Sequence, residues 1–124
     1  MDVALLEAEF ARDLSQLRAF RVSVASWLDA AGVNRETRDD IVLATHEAVA
    51  NAMEHALEDG PIRLRGEIAK DAVTVSVSNA GDWRAPNSND ARGRGLAVIR
   101  ALMTRVDVEA GSHVSVVMRR SLRS

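Results

Sequence analysis

The sequence predicts an α+β two-layer sandwich, with helices on one face of a mainly antiparallel sheet. Three observations carry this. The apolar period changes along the chain from the helical value to two, back to the helical value, and to two again. The period-two segments come in adjacent pairs joined by short turns, as in hairpins. Strands joined by a hairpin cannot be neighbouring parallel strands, so the sheet is antiparallel and its helices gather on one side.

Each element has its own signal. Val3 to Phe10 forms a short apolar opening, and Asp13 with Gln16 three residues later resembles a capping box. Leu17, Phe20, Val24, Trp27 and Leu28 follow at helical spacing, with Trp27 at a core position, until Gly32 ends the helix. Asn34 caps a second helix, whose apolar face runs on until Gly60-Pro61 stops it. Ile62, Leu64, Gly66 and Ile68 then alternate with polar residues, Lys70-Asp71 turns the chain, and Val73, Val75 and Val77 alternate again. From Gly81 to Arg94 there is no periodicity, and a loop of that length in a compact domain is usually a lid or binding loop. A helix from Gly95 to about Thr104 precedes a second hairpin, built from Val106 and Val108, an Ala110-Gly111 turn, and Val114, Val116 and Met118.

Composition narrows the function classes. With 124 residues the chain is expected to form one domain over 1–124, and 47% apolar with 27% charged residues is ordinary for a globular protein. A net charge of −2 gives no electrostatic footprint for nucleic acid, and Arg119, Arg120 and Arg123 read as a solvated tail. The absence of cysteine excludes a disulfide scaffold, a thiolate zinc site and a cysteine nucleophile. Neither a secretory leader nor a membrane-spanning apolar run is present, so no membrane association and a cytoplasmic location are expected.

The most informative stretch is His46 to His55. Glu47, Asn51 and His55 recur every four residues, stacking about 6 Å apart along one edge of a helix, while Ile41, Ala44, Ala48, Ala52 and Ala56 face a core. One reading is a solvated polar stripe, the usual outer face of an amphipathic helix. The other is a site, in which Glu47 accepts a proton and the Asn51 amide oxygen serves as a hard, neutral ligand for Mg²⁺. His55 is equally consistent with a histidine satisfied at the helix end. His46-Glu47 begins a zincin-like pattern, but Ala50 stands where the second histidine belongs, which excludes metalloprotease chemistry. His113, alternating with valines, reads as a surface residue, and no Gly-x-Ser-x-Gly elbow suggests a hydrolase.

Two glycine sites add to this. Ser78-Asn79-Ala80-Gly81 leaves a valine-rich strand, and Gly93-Arg94-Gly95-Leu96 opens a helix. Glycine at a helix N-terminus lets backbone N–H groups approach an anion where the helix dipole favours negative charge, although a lone Gly-x-Gly is more often a turn. The spacing fits neither the Rossmann fingerprint nor Walker A, and Lys70, the only lysine, lies in a hairpin turn.

Taken in order, these three sites resemble those of the histidine-kinase-like (GHKL) ATPases, the superfamily of gyrase, the MutL repair proteins and sensor kinases, and within it the small anti-sigma-factor serine kinases. Glu-x-x-x-Asn-Ala-x-x-His is matched at Glu47, Asn51, Ala52 and His55, and the last glycine box at Gly93, Arg94, Gly95 and Leu96. The likeness runs from about Phe10 to Met118 and implies a Bergerat-type ATP-binding fold. The middle box departs from it: where the family has Asp-x-Gly, with the aspartate reading the adenine amino group, this chain has Asn79.

The resemblance implies ATP and Mg²⁺ as cofactors, with Asn51 on the metal and Glu47 as base towards a protein serine. It also implies phosphate contacts from Gly93, Arg94, Gly95 and Leu96, and nucleotide contacts from His55, Asn79, Gly81 and Ser112. Replacing a charged acceptor by the Asn79 amide costs about 1 kcal/mol, roughly fivefold in affinity, so weak ATP binding and a broader nucleotide preference are expected. Trp83 in the polar loop either covers nucleotide or meets a partner. The implied partners are a sigma factor and an anti-anti-sigma (STAS-like) protein, with a homodimer as the family's habit. Two functions follow: an ATP-dependent protein serine kinase acting as an anti-sigma factor, or a non-catalytic nucleotide-binding module (a pseudo-kinase) that acts by sequestration. A sensor-kinase fragment would need a phosphoacceptor histidine on an upstream helix, and the first histidine is His46.

Overall fold

The computed structural model describes residues 4–55, 60–80, 93–109 and 113–122. Its elements in chain order are β1 (Ala4–Phe10), a 3₁₀ turn (Leu14–Gln16), α1 (Leu17–Ala30), α2 (Arg35–His55), β2 (Ile62–Ala69), β3 (Ala72–Ala80), α3 (Gly93–Leu102), β4 (Arg105–Glu109) and β5 (His113–Ser121). The five strands form one sheet in the order β1-β2-β3-β5-β4, antiparallel throughout. Among the described residues no helix is long and apolar enough to cross a membrane.

The structure adds one strand and corrects three sequence expectations. The apolar opening is a strand: Ala4 to Phe10 pair with Ile68 to Ile62, with Ala4, Leu6, Ala8 and Phe10 turned inward and Leu5, Glu7 and Glu9 outward. The capping box is incomplete, because Asp13 caps the 3₁₀ turn by accepting from the Ser15 amide at 2.9 Å, and Gln16, at the N-cap of α1, makes no side-chain cap bond. Arg119 and Arg120 lie within β5, where Val73 opposes Arg120; Arg123 lies outside the described residues. The third helix also begins two residues earlier than expected, so Gly93 and Arg94 are helical.

The remaining boundaries follow from local chemistry. Gly32, at φ +81°, ends α1 in a Schellman arrangement: the Val33 N–H reaches the Leu28 carbonyl (3.1 Å) and the Gly32 N–H reaches that of Asp29 (3.0 Å). Asn34 caps α2 through its side-chain oxygen, which accepts from the Thr37 N–H at 2.9 Å. Lys70 takes φ +56° in the tight turn between β2 and β3. The carboxylate of Asp13 is held below its usual pKa, first by the Ser15 backbone N–H and then by its hydroxyl. That contribution to stability is present above the unfolded pKa and is lost as pH falls through the folded one.

The core lies between the sheet and the helices. Phe20, Val24 and Leu28 of α1, and Ile41, Ala44, Ala48 and Ala52 of α2, pack onto Ile62, Leu64, Val73, Val75 and Val77 of the sheet. Phe10 and Phe20 meet with ring centroids 3.9 Å apart, which ties β1 to α1. The half-buried Trp27 ring lies over Gly66 so closely that a Cβ at that glycine would fall 2.5 Å from its Cη2. A bare strand position is therefore what admits the indole. Gly66→Ala is expected to destabilise the protein by about 1–3 kcal/mol through overpacking, read by urea titration. Pairing it with Trp27→Leu should recover part of that loss.

Candidate functional site

One end of the sheet is defined by a row across four strands: Phe10 faces Ile62, Ile62 faces Asn79, and Asn79 faces Val114. Just past Phe10, the Arg12 Nε–H donates to the Met53 carbonyl at 2.8 Å, which brings the last turns of α2 to the same end. At the opposite end, Arg120 of β5 donates to the Asp40 carboxylate at 3.0 Å and to the Leu102 carbonyl. The start of α2 and the finish of α3 are thus tied to one guanidinium. The two helices are in contact and run past each other in opposite directions.

Distances along the helices follow from that anchor. From Asp40 to Asn51 the helix rises about 16 Å, and from Leu102 back to Gly93 about 14 Å, at 1.5 Å per residue. The N-terminus of α3 and the Asn51 turn therefore reach similar heights at the Asn79 end. At about 100° per residue, Asp40, Glu47 and Asn51 fall within an arc of about 40° on the α3 side of α2. His46 points about 100° away from Glu47, towards α1, where its Nδ1 lies 3.2 Å from an Arg21 guanidinium nitrogen.

Burial decides between the two readings of the stripe. Ile41, Ala44, Ala48 and Ala52 are buried, as expected; Ala56 lies outside the described residues. Asn51 is also buried, at 5% exposure, and Glu47 is half-buried, so this edge of α2 is no solvated face. His55 closes the helix, and Gly93, Arg94, Gly95 and Leu96 form the first turn of α3, with Leu96 half-buried against the core. His113 begins β5 opposite Ala80. Gly81 and Ser112 lie outside the described residues, as do Trp83 and most of the Gly81 to Arg94 segment.

Asn79 is the most informative side chain. Alternation along β3 turns Val73, Val75, Val77 and Asn79 towards the helices, and Asn79 is 1% exposed. Neither its Oδ1 nor its Nδ2 has a hydrogen-bond partner among the described residues. An unmade buried hydrogen bond costs about 1–3 kcal/mol, which makes the Asn79 carboxamide a candidate contact for a polar ligand; Trp27 Nε1 and Thr45 Oγ1 are likewise buried without a partner among the described residues. The carboxamide's donor and acceptor pair also fits the edge of a nucleobase. Burial of this kind cannot be read from Ser78-Asn79-Ala80, where asparagine at a strand end suggests a turn. The anchors Arg12, Asp40 and Arg120 went unread for a similar reason: only the seven-residue spacing of Asp40 from Glu47 signals that they share a helix face.

A five-stranded antiparallel sheet with its helices packed on it defines a small two-layer α+β domain. Residues 10–120 match the histidine kinase-like ATPase domain, and the chain belongs to that family. Among its relatives is the serine-protein kinase RsbW of Listeria innocua, 32% identical over 79% of this chain and 74% of the relative. The serine-protein kinase RsbW of Bacillus pumilus is 25% identical over 97% and 87%. The fold is shared with a Mycobacterium tuberculosis structure of RsbU and RsbW domains, at TM-score 0.79 and 24% identity. That match covers 94% of this chain and 32% of the other. The catalytic domain of the histidine kinase ThkA superposes with TM-score 0.59 at 21% identity, over 94% and 95%.

The unpaired amide makes a stability prediction. Asn79→Val removes an unsatisfied buried polar group, so the ligand-free protein should unfold at the same denaturant concentration or be stabilised by up to about 1–2 kcal/mol. A loss of more than about 1 kcal/mol would mean that Asn79 has a structural partner.

Proposed function

We propose that the chain is an ATP-dependent protein serine kinase that acts as an anti-sigma factor, with residues 1–124 working as one histidine-kinase-like ATPase domain. What supports this reading is the burial of Asn51 and of Asn79, the latter at the end of the sheet to which Arg12 ties the last turns of α2. The serine-protein kinase names of the relatives favour catalysis over sequestration alone. The acceptor is a serine of a STAS-like anti-anti-sigma protein, and the sequestered partner is a sigma factor. Such partners place the chain in the cytoplasm as a regulator of transcription, and a homodimer belongs to the same proposal.

Bound MgATP supplies the transferable phosphoryl group. Asn51 is the residue to hold the metal: its amide oxygen is hard and neutral, and it is buried on the side of α2 that faces α3. Among the described residues no group of three His, Asp or Glu side chains could hold a metal ion. Mg²⁺ would therefore take most of its shell from phosphate and water, as it prefers. Glu47, one turn earlier on the same arc, accepts the proton of the serine hydroxyl. The backbone N–H groups of Gly93, Arg94, Gly95 and Leu96 point out of the start of α3, where the helix dipole favours phosphate oxygens, and the Arg94 guanidinium adds positive charge. Asn79 reads the base, and His55, Gly81 and Ser112 complete the nucleotide contacts. Most of the work is positioning and charge neutralisation, which is what phosphoryl transfer requires.

The test is transfer of labelled phosphate from MgATP to a STAS-domain protein captured on this chain from its own cytoplasm. Glu47→Gln should reduce transfer by about 10²–10⁴-fold while nucleotide affinity stays within about threefold. Transfer that survives the substitution removes Glu47 as base. No transfer to any captured protein leaves a sequestering module.

A further inference from the structure

We infer that the base pocket of this chain does not discriminate between 6-amino and 6-oxo purines, so that its nucleotide class is purine triphosphates rather than ATP alone. The inference rests on the nucleotide-site reading above and concerns Asn79. This residue ends the inward row of β3, the middle strand of the sheet, with Ile62 and Val114 as its paired neighbours. Ile62, Leu64, Val77 and Val116 around it are fully or almost fully buried and offer no polar group through their side chains. The amide thus sits in apolar surroundings at 1% exposure, with both its oxygen and its nitrogen unpaired among the described residues.

The chemistry of that group decides what it can read. A carboxamide presents one acceptor and one donor side by side in a plane, and turning it over exchanges them with no change of charge. In one setting it meets a 6-amino edge, accepting from N6–H and donating to a ring nitrogen. Turned over, it meets a 6-oxo edge, donating to O6 and accepting from N1–H. An ionised carboxylate in the same place only accepts, so it can pair with the amino edge and repels O6. Nothing among the described residues holds the Asn79 amide in either setting. A hydrogen bond that fixed its orientation would have created selectivity, and none is made among the described residues.

ATP and ITP are the sharp comparison, since their bases differ only at the 6-position edge. Displacement of a fluorescent ADP analogue by each, with Mg²⁺ present, should give affinities within about fivefold of one another for the natural chain. Asn79→Asp should shift the ratio towards ATP by about tenfold or more. Asn79→Val, which keeps the position apolar and tests the same contact should the aspartate variant fail to fold, should weaken both nucleotides together by about fivefold or more. A natural chain that prefers ATP by more than about thirtyfold overturns the inference while leaving the nucleotide site standing. An unchanged ratio in Asn79→Asp, or undiminished binding in Asn79→Val, does the same. Binding of neither nucleotide removes the site and the inference together.

Discussion

The seating of α2 against the sheet through Ile41, Ala44, Ala48 and Ala52 is the constraint on which the rest of the structure depends. Three of these four are alanines, so the helix can lie close to the strands, and the larger core volume comes from Phe20, Leu28, Ile62, Leu64 and the β3 valines around it. A helix held this close buries more than its apolar ridge. Thr45 and Asn51, on either side of it, are carried out of water as well. The polar edge of α2 is therefore a consequence of how tightly its alanine edge packs.

The two ends of the sheet play different parts. At one end Arg120 ties β5, α2 and α3 together through Asp40 and the Leu102 carbonyl, and the Thr104 N–H reaches the Arg119 carbonyl at 2.7 Å. These polar groups have partners. At the other end Asn79 is buried without one among the described residues, in the middle strand, where a valine would extend the row of Val73, Val75 and Val77. Holding such a group costs stability in the free protein, and that cost is recovered only when something else pairs with it.

Much of this was legible in the sequence, and the failures have physical causes. The strand pairs of both hairpins, the Gly32 stop, the Asn34 cap and the one-sided placement of helices follow from local periodicity and turn chemistry, and all are present, while the Ala110-Gly111 turn lies outside the described residues. β1 was missed because Ala-Leu-Leu-Glu-Ala-Glu-Phe is made largely of good helix formers; it is a strand because its alternation matches β2, a partner more than fifty residues away. Arg120 was misread because a basic residue near a C-terminus gives no local sign of the carboxylate and carbonyl that will surround it. The close fit of Trp27 on Gly66 is likewise a tertiary fact. At the site, the helical spacing showed that Glu47 and Asn51 share an edge, but only the fold shows that this edge faces α3 and is withdrawn from solvent.

The most direct measurement is a ¹H–¹⁵N NMR titration with MgATP that follows the side-chain amides of Asn51 and Asn79 and the backbone N–H groups of Gly93 to Leu96. Saturable shifts at both side-chain amides and at the first turn of α3, with Arg21 and His46 unmoved, are the expected result. Shifts that bypass Asn51 and Asn79, or a spectrum that MgATP leaves unaltered, would contradict the nucleotide site on which the functional reading stands.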